Sequence, residues 1–169
     1  TKKPDFTQQT SQMIELFQND NITVKINGIS IPLPCAVSDL SSFVLDDEKD
    51  GKIKVKSQKR INIYNKSKSL IGNVLFENDT SKEKKIKDVP IVGINVFDNG
   101  SAWSFVFQKS VGNIFRYSKN TFKKIYGKSA IEQHGWLNYY IYDNKKIMIY
   151  APKNRVYGID IYWNPNKEE

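Results

Sequence analysis

The sequence has few of the residues on which enzyme chemistry most often depends. It contains a single cysteine, Cys35, and a single histidine, His134. One cysteine excludes an intrachain disulfide and any metal site built from several cysteines, and one histidine leaves little for zinc binding or a catalytic triad. Apolar runs are also short, and none approaches the roughly 18 residues that a membrane-spanning helix needs. We therefore predict a protein that is not an enzyme and that holds no metal or other cofactor.

The composition is that of a folded domain with an excess of positive charge. Hydrophobic residues make up 39% of the 169 residues and aromatic residues 12%, which is enough to bury a core. The net charge of +8 would suit an anionic partner such as nucleic acid, an anionic polymer or lipid head groups. Lysine outnumbers arginine, however, and arginine is the residue preferred for base edges and bidentate phosphate contacts. We interpret the excess as a general lysine bias rather than as a dedicated site.

The N-terminal stretch combines a polar tether with one short helix. Residues Thr1 to Phe6 lack apolar spacing, whereas Thr7 to about Asn19 carries an apolar face that a peripheral helix would bury. The first residue is threonine rather than methionine, so we expect a signal or lipoprotein anchor sequence to have preceded it.

The next segment indicates a hairpin followed by a second short helix. Apolar and polar residues alternate on both sides of Asn27-Gly28, the pair favoured in two-residue hairpin turns. Cys35 follows the second strand and is interpreted as a small packing residue. Ser38 could then cap a helix over residues 38–45.

A charged stretch over residues 46–60 leaves two interpretations open. Its acidic first half lacks a calcium-loop pattern and is interpreted as a solvated turn. In its second half, lysines alternate with Ile53 and Val55, as in an exposed edge strand whose charges discourage pairing with another sheet. The alternative is a basic nucleic-acid-binding module that uses Lys52, Lys54, Lys56, Lys59 and Arg60. Residues 77–88 are interpreted as a solvated loop.

The last third contains the clearest pattern. Ser118 is a good helix N-cap and Gly127 a good helix end. A hairpin of Leu137 to Tyr142 with Lys146 to Tyr150 follows, and then a final strand. The order of a capped helix followed by strands occurs twice, and VGINVF at residues 92–97 matches YGIDIY at residues 157–162.

These patterns together predict an α+β fold. We expect an antiparallel sheet with short helices packed on one face, in two tandem helix-plus-meander units over residues 22–109 and 110–169. A tether and helix over residues 1–21 would precede them, and the whole would form one compact domain.

Two segments resemble a known group of proteins. The helix segment SKNTFKKIYG at residues 118–127, the aromatic hairpin after it and the closing VYGIDIYW are similar to a pattern found in secreted lipoproteins of Gram-positive bacteria. The run INGISIPLPCAVSDL at residues 26–40 is similar to the opening of the same proteins. That group resembles the tandem units of beta-lactamase inhibitor protein and the BamE-like (SmpA/OmlA) lipoproteins. The resemblance implies an extracellular or cell-surface, lipid-anchored bacterial protein without catalytic residues, which would touch a membrane only through its anchor.

Aromatic residues are concentrated in the last third. In the segment LNYYIY, alternation places Tyr139 and Ile141 on one face and Tyr140 and Tyr142 on the other, and a helix can cover only one of them. An exposed aromatic face would suit contact with another protein or a cell-envelope polymer. The alternative is that cross-strand aromatic pairs only stabilise the sheet. The candidate binding residues are Trp136, Tyr140, Tyr142, Tyr150 and Trp163. A hydrolase centred on His134 is a third and weaker hypothesis.

Overall fold

The computed structural model describes residues 11–46, 51–99, 104–106, 112–141 and 143–167. Its strands are β1 (Ile22–Ile26), β2 (Ile29–Leu33), β3 (Val44–Leu45), β4 (Lys52–Ile53), β5 (Ser57–Tyr64), β6 (Leu70–Asn78), β7 (Lys84–Lys85), β8 (Ile91–Phe97), β9 (Phe105–Val106), β10 (Ile131–Gln133), β11 (Trp136–Ile141), β12 (Lys145–Tyr150) and β13 (Gly158–Trp163). Its helical elements are α1 (Ser11–Phe17), α2 (Lys119–Tyr126) and three short 3₁₀ turns, Val37–Leu40, Ile86–Asp88 and Ile114–Arg116.

One eight-stranded antiparallel sheet dominates the structure. Its strand order is β10-β11-β12-β13-β8-β6-β5-β3. Each half of the chain contributes four consecutive neighbours, and the two groups meet where β13 pairs with β8. A smaller sheet has the order β2-β1-β9, and β4 pairs with β7. One continuous sheet therefore contains strands of both predicted units.

The core lies between one face of the large sheet and a second layer. The inward side chains of the large sheet include Ile61, Ile94, Ile147 and Ile161, and all of them are at most 3% exposed. The small sheet contributes the alternating buried residues of β1, whose burial follows the two-residue strand period. All of these side chains belong to a single hydrophobic cluster.

The two helices complete this second layer. Ser118 caps α2 by accepting a hydrogen bond from the Thr121 backbone N–H, and Gly127 ends it at a φ of 89°, so both predicted boundaries are confirmed. Phe122 of α2 packs on Tyr139 of the sheet with ring centroids 5.8 Å apart.

The end of α1 is fixed to the sheet by a buried lysine. The Lys145 Nζ donates to the carbonyl oxygens of Phe17 and Asn19, each at 3.0 Å. It also lies 5.4 Å from the ring centroid of Trp163, which stacks on Phe17. A cation at the carbonyl end of a helix is electrostatically favourable.

The predicted α+β class is wrong, because the fold is dominated by sheet. Strands account for 48% of the described residues, whereas the α-helices of the described part have only seven and eight residues. Helices this short do not form a layer of their own. Much of the covering layer is instead the small sheet of β1, β2 and β9.

Several local predictions also need correction. The helix expected over residues 38–45 is only a 3₁₀ turn, after which Val44 and Leu45 pair with β5 as an edge strand. The expected loop over residues 77–88 begins inside β6, includes β7 and buries Ile86. Near the end of the first predicted unit, β9 pairs with β1. By contrast, the hairpin at Asn27-Gly28 is confirmed, with φ values of 49° and 82°. The tether over residues 1–6 and the start of the first predicted helix lie outside the described residues.

Candidate functional site: the open face of the large sheet

The two faces of the eight-stranded sheet differ in their surroundings. One face builds the core, whereas the other carries side chains that are mostly half-buried or exposed. We call this second surface the open face and define it by the outward residues of β5, β6, β8, β13, β12 and β11. In the described part of the chain, none of the aromatic side chains of this face belongs to the core cluster.

An aromatic row lies at one end of the open face. Trp136 of β11 pairs with Tyr150 of β12, which pairs with Gly158 of β13, which pairs with Phe97 of β8. The Trp136 and Tyr150 ring centroids are 4.8 Å apart, and Phe97 meets both rings edge-on at 6.4 and 6.3 Å. Phe97 remains 40% exposed.

Gly158 is what allows Phe97 to reach across the sheet. A Cβ atom at this glycine would lie 2.5 Å from the Phe97 Cδ1 atom. Any larger residue would therefore push the Phe97 ring away from Trp136 and Tyr150. The aromatic row is thus a continuous surface that extends over four strands.

A row made of amide and carboxylate side chains and one methionine runs beside the aromatic row. Its members face one another on six neighbouring strands. In sheet order they are Asn62, Asn73, Asn95, Asp160, Met148 and Asn138. We call this set the amide row.

The centre of the amide row is held by polar contacts. The Asn95 Nδ2 donates to the Asp160 Oδ2 at 3.2 Å, and the Arg60 Nη1 donates to the Asn73 Oδ1 at 2.8 Å. The Arg60 Nη2 lies 3.7 Å from the Asp160 carboxylate. Burial raises the pKa of Asp160, although Arg60 and Asn95 oppose that shift. The Asn95 Oδ1 is buried and has no hydrogen-bond partner among the described residues.

A third row mixes aromatic and charged side chains. Tyr140 pairs with Lys146, and Lys146 pairs with Tyr162. Near its end, the buried carboxylate of Glu77 accepts hydrogen bonds from Tyr162, Asn164, Lys167 and Gln58. These contacts hold the C-terminal residues Asn164 and Lys167 against the edge of the open face.

Two shallow clefts lie end to end between the amide row and this third row. One has a volume of about 310 Å³ and includes Ile131, Asn138 and Tyr140 in its lining. The other has a volume of about 300 Å³ and includes Arg60 and Asp160. Both are lined by Asp143, Lys146 and Met148, so they form one elongated depression.

The structure brings together three of the five residues named from the sequence. Trp136, Tyr140 and Tyr150 are half-buried on the open face. Trp163 is fully buried on the opposite face, where it stacks on Phe17, so it cannot belong to a contact surface. Strand alternation explains this orientation, because Trp163 lies two residues after the core residue Ile161 and therefore points to the same face. Tyr142 lies outside the described residues.

The candidate catalytic residues, His134 and Cys35, lie away from the clefts of the open face. His134 is exposed at a positive φ of 52° in the two-residue turn between β10 and β11. Cys35 is half-buried beside the first 3₁₀ turn, and burial, followed by the charge of Asp39, raises the pKa of its thiol to about 12. A thiol with such a pKa is a poor nucleophile at neutral pH. Neither residue lines a cleft of the open face.

The basic residues of the alternative hypothesis do not form one row. Lys52 lies on β4, where it is 3.8 Å from Glu83, and Lys54 and Lys56 lie in the following turn. Lys59 and Arg60 are consecutive on β5 and therefore point to opposite faces. Only Arg60 reaches the open face.

The described residues contain neither a metal-binding cluster nor a helix of membrane-spanning length and apolarity. Within them, no three His, Cys, Asp or Glu side chains come close enough together to hold a metal ion. Neither of their α-helices is long and apolar enough to cross a bilayer.

Sequence reasoning missed the amide row and the buried Glu77. The amide row depends on the register between strands that are distant in sequence, such as Asn95 and Asp160, which are 65 positions apart. One signal was available, since asparagine and aspartate are depleted in strands. Asn73, Asn95 and Asp160 each interrupt an otherwise apolar strand segment.

Comparisons with known proteins do not assign a family to this chain. No protein-family model matches the sequence, and no curated protein or solved structure matches it significantly.

Proposed function

We propose that this chain is a noncatalytic binding domain that holds a macromolecular partner against the open face of its large sheet. The observation that carries the proposal is the aromatic row of Trp136, Tyr150 and Phe97, which lies outside the core cluster of the described residues. Rigid aromatic side chains that remain accessible give large contact areas at a low cost in conformational entropy.

The chemistry of the remaining residues supports binding rather than turnover. General acid–base catalysis needs titratable groups that converge on one reacting atom. Among the described residues, His134 lies on an exposed turn and the Cys35 thiol has a raised pKa. The carboxylates of Asp160 and Glu77 are each engaged by neighbouring donors.

We further propose a secreted or cell-surface location on a lipid anchor, as in the Gram-positive lipoproteins that the sequence resembles. This location would present the open face to other proteins and to polymers of the cell envelope. Labelling of the full-length protein with a radioactive fatty acid in a Gram-positive host tests it. Incorporation of label into the protein is expected, and an unlabelled protein that stays in the cytosol would refute the location.

Sedimentation with isolated Gram-positive cell envelopes tests the binding function. The wild-type protein is expected to sediment with the envelopes. The double variant Trp136→Ala, Tyr150→Ala should bind about 30-fold more weakly, since aromatic residues at binding hot spots contribute about 2 kcal/mol or more. Val55→Ala is the matched control, because Val55 is 45% exposed and lies outside the open face.

Circular dichroism must show that the double variant keeps its fold, because the aromatic contacts also stabilise the sheet by about 0.5–1.5 kcal/mol per pair. Equal sedimentation of a folded double variant and of wild type would contradict the proposal. Failure of wild type to sediment would contradict it as well.

A further inference from the structure

We infer that the ligand of the open face is a strand of neutral polysaccharide that lies along the amide row, across the β-strands. This inference rests on the proposed binding function and names the chemical class of its partner. Three features support it: the composition of the amide row, the aromatic rows beside it, and the local balance of charge.

The amide row places hydrogen-bonding groups where a sheet alone would not favour them. Asparagine and aspartate are depleted in strands, yet four asparagines and one aspartate face one another across this sheet. Residues that break a local preference at several aligned positions are expected where function requires them. Strands lie about 4.8 Å apart, so six of them give a row of about 24 Å. This length accommodates several linked sugar units.

The groups in this row match the chemistry of sugar hydroxyls. A carboxamide offers two donors and an acceptor, and a hydroxyl group both donates and accepts. Neighbouring hydroxyls can therefore bond an asparagine through both of its polar atoms. Asn62 is exposed, and Asn73 and Asn138 are half-buried, so their side chains are accessible to a ligand.

Aromatic side chains flank the amide row on both sides. Trp136, Tyr150 and Phe97 form one flank, and Tyr140 and Tyr162 belong to the other. The C–H faces of sugar rings are apolar, so they pack on aromatic rings while the hydroxyl edges remain free for polar contacts. The elongated depression along Met148 lies between the amide row and the third row, and its lining includes Tyr140 and Tyr162.

The charges of the open face favour a neutral ligand over a polyanion. Arg60 lies 3.7 Å from Asp160, Lys146 lies 3.8 Å from Asp143, and Lys167 lies 2.7 Å from Glu77. A polyanion would have to compete with a carboxylate for each of these cations. The net charge of +8 therefore does not make the open face a site for nucleic acid or an anionic polymer.

The polar centre of the surface also distinguishes a glycan from a protein partner. The centre of a protein interface is usually apolar and depleted in charged residues, with a polar rim around it. On the open face the polar groups are instead central, because the amide row with Asp160 lies between the two rows that contain the aromatic side chains.

Nuclear magnetic resonance titration tests the inference directly, since asparagine side-chain amides give separate signals. The probes are hexasaccharides of β-1,4-linked glucose, β-1,4-linked N-acetylglucosamine and α-1,6-linked glucose. We expect at least one of them to shift the side-chain amide signals of Asn73, Asn95 and Asn138. Asn73→Ala and Asn138→Ala should each weaken that binding about three- to tenfold, which corresponds to the loss of one or two hydrogen bonds. Asn120→Ala, an exposed position on α2, is the matched control and should change nothing.

The outcomes separate this inference from the proposed function. If no hexasaccharide shifts these signals while the envelopes bind through a protease-sensitive component, the ligand is a protein and the inference fails, although the binding function stands. Tight binding of an anionic polymer that disappears at high salt would also overturn it. If the envelopes do not bind at all, both proposals fail.

Discussion

Substitution of Glu77 by glutamine should destabilise the fold, because this carboxylate accepts hydrogen bonds from four donors. The donors are the Asn164 Nδ2 at 2.9 Å, the Lys167 Nζ at 2.7 Å, the Gln58 Nε2 at 3.3 Å and the Tyr162 hydroxyl. Glutamine has the same shape but replaces one acceptor oxygen with an NH₂ group, which would face these donors. At least one of them would lose its acceptor.

The magnitude follows from which donors are buried. Asn164 is 7% exposed, so an unpaired amide there costs about 1–3 kcal/mol. Lys167 is 39% exposed, so loss of its ion pair adds only about 0.5 kcal/mol after solvent screening. We therefore expect Glu77→Gln to lower the free energy of unfolding by about 2–3 kcal/mol, which corresponds to a fall in Tm of about 4–12 °C for a chain of this size.

The pH dependence of this effect gives a second observable. Burial alone would raise the pKa of Glu77, but hydrogen bonds from Lys167, Tyr162, Asn164 and Gln58 outweigh it and hold the pKa below its usual value. The stabilisation is therefore present above the pKa of the unfolded state and is lost as the pH falls through the lower folded pKa. The difference between wild type and Glu77→Gln should shrink in acid.

Urea denaturation followed by circular dichroism measures both effects. Glu83→Gln is the control, because among the described residues Glu83 forms an exposed pair with Lys52, and loss of this pair should cost less than about 0.5 kcal/mol. If Glu77→Gln were as stable as this control at neutral pH, the account of Glu77 as a buried acceptor would be wrong.

Two further substitutions test the other buried charges. Lys145→Met should lower the free energy of unfolding by about 2–3 kcal/mol, because the carbonyls of Phe17 and Asn19 lose a charged donor. Amide hydrogen exchange in α1 should then become faster. The control variant, Lys153→Met, should change neither quantity. Asp160→Asn should raise the free energy of unfolding at neutral pH by about 1 kcal/mol, because burial raises the pKa of this carboxyl and thus penalises its charged form above the folded pKa. That gain should shrink as the pH falls through the folded pKa and vanish below the pKa of the unfolded state, and a constant gain would contradict this explanation.

Local signals in the sequence predicted the turns and caps well. Asn27-Gly28, Ser118 and Gly127 act through their own backbone and nearest neighbours, so their roles follow from short segments. Alternation within one strand also predicts that Tyr139 and Tyr140 point to opposite faces, and Tyr139 is buried while Tyr140 is half-buried.

Local apolar spacing did not predict which elements cover the large sheet. The segment over residues 38–45 has a helix-like apolar spacing, but a helix of two turns is stable only if packing favours it. Val44 and Leu45 instead complete the edge of the sheet beside Tyr64 and Ile63. The sequence therefore predicts helices as the covering layer, whereas the strands β1, β2 and β9 form much of it.

The amide row could not be predicted because it is a property of register. Each of its residues lies in a strand whose partner is fixed by the whole fold, and a shift of one residue would send every side chain to the other face. Alternation with Ile161 places Trp163 on the core face, but its full burial also requires the docking of α1 through Phe17.

The most direct test of the central claim is to block one face of the large sheet at a time. The single native thiol, Cys35, is half-buried with a pKa of about 12, so it should react slowly with maleimides at neutral pH. Asn138→Cys places a reactive thiol on the open face, and Asn120→Cys places one on α2 as the control. After attachment of a polyethylene glycol maleimide, the Asn138→Cys protein should no longer sediment with Gram-positive cell envelopes, whereas the labelled Asn120→Cys protein should still do so. Envelope binding that survives a blocked open face would contradict the account.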